Sequence, residues 1–167
     1  MKFLFPLGLM CTLSLLATKT LSEQRPFLTL SSAQAGIEAC MAFANENKLK
    51  FAISVKDRGG RLVSFARMDD VYQKQIELSH TKAETAATTP LSTKQIAATV
   101  TNKPSYSGLV YVEGVTTVEG GVPIRLGSGY SIGGIGVSGS SPELDGECAL
   151  LAVNAVVKNH QASKNVL

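Results

Sequence analysis

The stretch from Tyr130 to Gly139, Tyr-Ser-Ile-Gly-Gly-Ile-Gly-Val-Ser-Gly, constrains the fold more than any other part of the chain. Successive residues of an extended strand point to opposite faces, so Gly134 and Gly136 share one face while Ile135 and Val137 share the other. Such a strand has one apolar face to bury and one face without side chains. On the bare face a ligand, a helix or a neighbouring subunit can come close to the backbone. Residues 134–139 also satisfy G-x-G-x-x-G, but a dinucleotide fingerprint joins the first strand of a βαβ unit to its helix and needs an acid about 20 residues further on. The last acidic residue here is Glu147, and no Gly-Lys-Ser/Thr phosphate loop is present. Ser138 lacks the G-x-S-x-G spacing of a nucleophile elbow.

Around this strand, helical and extended patterns succeed one another. Ser31-Ser32 can cap a helix from about Ala33 to Asn47, whose Ile37, Cys40, Met41 and Ala44 follow helical spacing. Phe51–Val55 and Leu62–Ala66 read as strands joined at Asp57-Arg58-Gly59-Gly60, where glycine accepts the positive φ of a tight turn. A helix is expected over Gln73–Thr88, stopped by Pro90, then a short one over Leu91–Val100 opened by Ser92, then a loop around Pro104. Leu109–Glu113, Val122–Leu126 and Tyr130–Ser138 read as three further extended stretches, which makes five strands. Pro142 fits the first turn of a last helix reaching about Asn159, with Leu150, Val153 and Val157 along one stripe. The order describes an α+β domain with an antiparallel, hairpin-rich sheet.

The first 22 residues follow a different logic. Met1-Lys2 is a short basic start, Phe3–Ala17 is almost unbroken apolar sequence, and Thr18–Ser22 is mostly small or polar. That order is expected of an export signal cleaved after Ser22, since the apolar run is shorter than the roughly 20 residues of a membrane span. Cys11 follows Gly8-Leu9-Met10 without the small residue that lipoprotein processing favours. The domain is then 23–167, in a periplasmic or secreted protein. Loss of Lys2 and Lys19 leaves 14 basic against 13 acidic residues, a charge of +1. With no Lys/Arg cluster, neither nucleic acid nor, after cleavage, a membrane is an expected partner.

Three segments carry a family resemblance. The first is Val55-Lys-Asp-Arg-Gly-Gly-Arg-Leu-Val-Ser-Phe-Ala-Arg-Met-Asp69, and the second is Lys82-Ala-Glu-Thr-Ala86. The third combines Gly120-Gly-Val-Pro-Ile124, Ile132–Gly139 and Asp145-Gly-Glu-Cys-Ala149. In this order they resemble the GlcG/HbpS (haem-degrading-like) family across nearly all of 23–167. The resemblance implies a profilin-like fold, a five-stranded antiparallel sheet with helices on both faces, and assembly into a homo-oligomer. It implies haem or another tetrapyrrole as ligand, with weak haem degradation as an activity. The alternatives are an enzyme or accessory protein for a small hydroxy or oxo acid, and an oligomeric module without catalysis.

Candidate ligand-binding residues are His80, Lys82, Gly120, Gly121, Arg125, Gly134 and Gly136. Glu77 and His80 lie three apart on one helix and share a face, with Glu84 four residues beyond His80. Imidazole and carboxylate together suit iron(II), zinc or a haem iron, while the plainer reading is a solvated helix face. His160 falls in a polar tail. For haem, the axial donor could come from His80, Tyr106, Tyr111, Tyr130 or Met68, and the propionates could meet Arg61, Arg67, Lys82 or Arg125. Cys40 and Cys148 are the only cysteines of 23–167. The implied fold sets their helices side by side, so an oxidising compartment allows a bridge; a small core residue is the other reading of Cys148.

Overall fold

The computed structural model describes residues 25–164; the expected signal segment lies outside them. Its elements run α1 (Leu30–Glu46), β1 (Ala52–Asp57), β2 (Leu62–Arg67), α2 (Gln73–Thr88), α3 (Thr93–Asn102), a 3-10 segment (Pro104–Tyr111), β3 (Gly121–Arg125), β4 (Ser131–Ser138) and α4 (Pro142–Lys164). The glycine-rich strand is β4, at the centre of an antiparallel sheet ordered β2-β1-β4-β3.

The two faces of this sheet differ as the alternation demands. Ile135 and Val137 of β4 join Ile53 and Val55 of β1 in a buried cluster with Ile37 and Cys40 of α1 and Ala152 and Val156 of α4. The opposite face carries Ser54, Gly134 and Gly136, and α2 lies on it. A Cβ at Gly136 would stand 2.1 Å from the Ser79 carbonyl oxygen, and one at Gly134 would stand 2.4 Å from the Ala87 nitrogen. Both neighbours are helix backbone, which no rotamer change can move. These glycines therefore form the bed of α2. The ligand floor expected at Gly134 and Gly136 is filled by the protein's own helix.

On the other face α1 crosses α4 at Gly36, where a Cβ would stand 2.6 Å from Val156 Cγ2 and 3.0 Å from the Ala152 carbonyl oxygen. Cys40 and Cys148 are bridged between these helices, their Cα atoms 5.0 Å apart. α1 starts earlier than its serines suggest. Thr29 is the cap, accepting the Ser32 N–H at 3.1 Å, while Ser32 itself is buried and donates to Asn159 Oδ1 at 3.0 Å. α4 also runs past Asn159, so His160 is buried rather than solvated.

The sheet has four strands among the described residues, not five. Leu109–Tyr111 falls in the 3-10 segment, and no residue of that segment is buried. The free edge of β3 offers it no partner: Thr93 Oγ1 accepts the Gly121 N–H at 3.0 Å, and Pro123 has no N–H to give.

Candidate functional site

Most of the candidate side chains sit on α2, and its helical phase sends them in separate directions. Lys82 goes inward. Its Nζ donates to Asp145 Oδ2 at 2.7 Å and to the Val137 carbonyl at 2.9 Å, and the two side chains are 0% and 3% exposed. The other Asp145 oxygen accepts the Ser140 N–H at 3.0 Å. Burial lowers the Lys82 pKa and raises that of Asp145, and their mutual contact opposes both shifts.

His80 stays on the same face of the sheet and goes toward β1 and β2. Its Nδ1 is 2.8 Å from Ser54 Oγ of β1, and its ring centroid is 4.8 Å from that of Phe65 on β2. Burial, helped by the nearby Lys56 charge, holds its pKa below the ordinary imidazole value, so the ring is neutral at neutral pH. Glu84 pairs with Lys56 at 2.6 Å, and Glu77 pairs with Lys74 at 2.6 Å on the outer surface. The Lys74 contact holds the Glu77 carboxyl below the usual range. Glu77, His80 and Glu84 thus each have a different partner. Among the described residues no group of three or more His, Cys, Asp or Glu side chains is placed to hold a metal ion.

The Gly120-Gly121 rim does border a groove. It has a volume of about 370 Å3 and lies between α3, β3 and the start of α4, lined by Ser92, Gln95, Val122, Pro123 and Leu150 as well as the two glycines. Gly120 has φ +126°, and a Cβ there would lie 2.5 Å from the Val137 carbonyl oxygen and 2.8 Å from Lys82 Nζ. Bare backbone is what separates the groove from the buried ammonium. Lys94 and Glu119 pair across the rim at 3.0 Å. Lys82, Gly120 and Gly121 are therefore brought together, while His80 is not part of this place.

Arg125 belongs to a third location. It donates to the Pro90 carbonyl at 2.7 Å and to the Gly129 carbonyl at 3.2 Å, beside a cleft of about 360 Å3 that Arg58 and Tyr130 also line. Arg58 donates to Tyr130 Oη at 2.6 Å. Of the other haem-donor candidates, Met68 uses its sulfur to accept the Phe51 N–H at 3.4 Å, and Tyr111 is 88% exposed.

Two features escaped the sequence. One is the Asp145 partner of Lys82, 63 residues away, a pairing with no local signal although both residues lie in the family motifs. The other is the pair of buried serines, Ser54 and Ser79, behind His80. A serine between Ile53 and Val55 in a central strand was the available hint.

The chain is similar to known proteins over nearly all of this fold. The family model for haem degrading protein HbpS-like matches residues 28–154. Protein GlcG of Escherichia coli (strain K12) is 34% identical over 116 residues, which cover 70% of this chain and 84% of GlcG. The crystal structure of Klebsiella pneumoniae protein ORFY superposes with a TM-score of 0.75 at 29% identity, covering 84% of this chain and 97% of that one. The crystal structure of the PduOC:Heme complex superposes with a TM-score of 0.70 at 28% identity, over 78% of this chain and 95% of that one. With its α+β sheet, its glycine bed under α2 and these matches, the chain belongs to the HbpS-like (GlcG/HbpS) family.

Proposed function

We propose that this protein binds haem or a closely related tetrapyrrole, with His80 as the iron ligand. The observation that carries the reading is the similarity, 28% identity at a TM-score of 0.70, to a protein crystallised with heme. The donor chemistry fits. His80 is a partly exposed, neutral imidazole whose ring is fixed by Ser54 and Phe65, whereas His160 is buried in α4. Bound iron would supply the redox chemistry for slow haem degradation. The chain's part is to hold the imidazole still and neutral. A free iron ion held by Glu77 and His80 belongs to the same reading. Glu77 would first have to leave Lys74, and among the described residues no third His, Cys, Asp or Glu is grouped with the two.

Haemin titrated into the purified protein tests this: a saturable Soret change is expected. The groove at Gly120-Gly121 favours a second reading, a small hydroxy or oxo acid bound there. A flat haemin titration together with thermal stabilisation by small carboxylates would overturn the first reading in favour of the second.

Export and self-association complete the proposal. A disulfide between α1 and α4 suits an oxidising compartment. Protein recovered from the cell exterior or periplasm is expected to begin at Glu23 on N-terminal sequencing and to show a light-scattering mass above one chain. An intact Met1 would contradict export, and a clean monomer would contradict assembly.

A further inference from the structure

We propose that Ser54 and Ser79 form a one-way hydroxyl relay that fixes neutral His80 in its Nδ1–H form, leaving Nε2 as an outward lone-pair donor. The direction follows from counting hydrogens. Ser79 Oγ is 2.7 Å from the Ile76 carbonyl oxygen, and a carbonyl only accepts, so the single Ser79 hydroxyl hydrogen is used there. Ser79 Oγ is also 2.9 Å from Ser54 Oγ, and with its own hydrogen spent it accepts the one from Ser54. Ser54 Oγ then has no hydrogen left for His80 Nδ1 at 2.8 Å, so Nδ1 is the donor. A neutral imidazole carries one N–H, which places the free lone pair on Nε2.

Each part of the relay is rigid. Ser79 and Ile76 are on α2, Ser54 is on the central strand β1, and both serines are fully buried. Phe65 packs on the ring and sets its plane. Among the described residues no hydrogen bond reaches Nε2. A histidine that donates from one nitrogen to a fixed acceptor presents the other as a ligand of set direction, the arrangement by which outer partners orient metal-bound histidines. Ser54 and Ser79 are thus positioning residues for an iron ligand. This role rests on the tetrapyrrole reading above, but the tautomer itself does not.

The test is a two-bond 1H–15N correlation spectrum of 15N-histidine-labelled protein, recorded above the imidazole titration, with His80→Gln assigning the signals. His80 is expected to show a pyrrole-like, protonated Nδ1 and a pyridine-like Nε2. Ser79→Ala never touches the ring, yet it frees the Ser54 hydrogen to turn toward Nδ1. The protonated nitrogen should then become Nε2, and haemin affinity should fall about ten-fold, as when an outer partner of a metal ligand is lost. A protonated Nε2 in the unaltered protein overturns the relay, as does an unchanged tautomer in folded Ser79→Ala protein. A correct tautomer in a protein that binds no haemin upholds the relay and overturns the iron-ligand reading alone.

Discussion

Asp145→Ala is expected to destabilise the protein by about 3–5 kcal/mol, the usual consequence of leaving one member of a buried ion pair without its partner. The cost falls on Lys82. Its ammonium has no solvent exposure and would keep only the Val137 carbonyl as acceptor. Lys82→Met should cost less. The Asp145 carboxyl retains the Ser140 and Gly139 N–H groups, and burial already raises its pKa, so it can take up a proton once its partner is gone. Urea unfolding of the two variants measures this asymmetry. A loss below about 1 kcal/mol for Asp145→Ala, the scale of an exposed pair, would contradict the buried-pair account.

Replacing both Cys40 and Cys148 with serine is the other large effect, an expected loss of about 2–5 kcal/mol. The bridge joins positions 108 residues apart, so it restricts most of the unfolded domain, and it ties α1 to α4 where they pack on the apolar face of the sheet. The same loss should follow simple reduction of the unaltered protein. Denaturation midpoints compared with and without reductant check it. Equal midpoints, or two free thiols in natively exported protein, would contradict the bridge.

Much of this fold could be read from local pattern. The hairpin turn at Asp57–Gly60, the stop at Pro90 and the Ser92 cap of α3 announce themselves within a few residues, and the structure has each of them. The bare face of β4 was legible too, but not its occupant. Gly134 and Gly136 admit a ligand or a helix equally well in sequence, and only the tertiary placement of α2 decides for the helix. Leu109–Val112 has the composition of a strand but lacks an edge to pair with, because Thr93 and Pro123 close β3.

The candidate site was less legible, for the same reason. His80, Lys82 and Glu84 are near neighbours in sequence, yet the helix turns His80 and Glu84 toward Ser54 and Lys56 of β1 and sends Lys82 to β4. Their real partners, Ser54, Asp145 and Lys56, are 26 to 63 residues away. Such pairs leave no mark on the periodicity of either segment.

The most direct measurement is the haemin dissociation constant of the purified protein beside that of His80→Ala, read from the Soret band at equal salt and pH. The account predicts saturable binding, weakened ten-fold or more in the variant, which corresponds to about 1.4 kcal/mol or more of lost binding free energy. Equal affinity in the two proteins, or no saturable change in either, would contradict it.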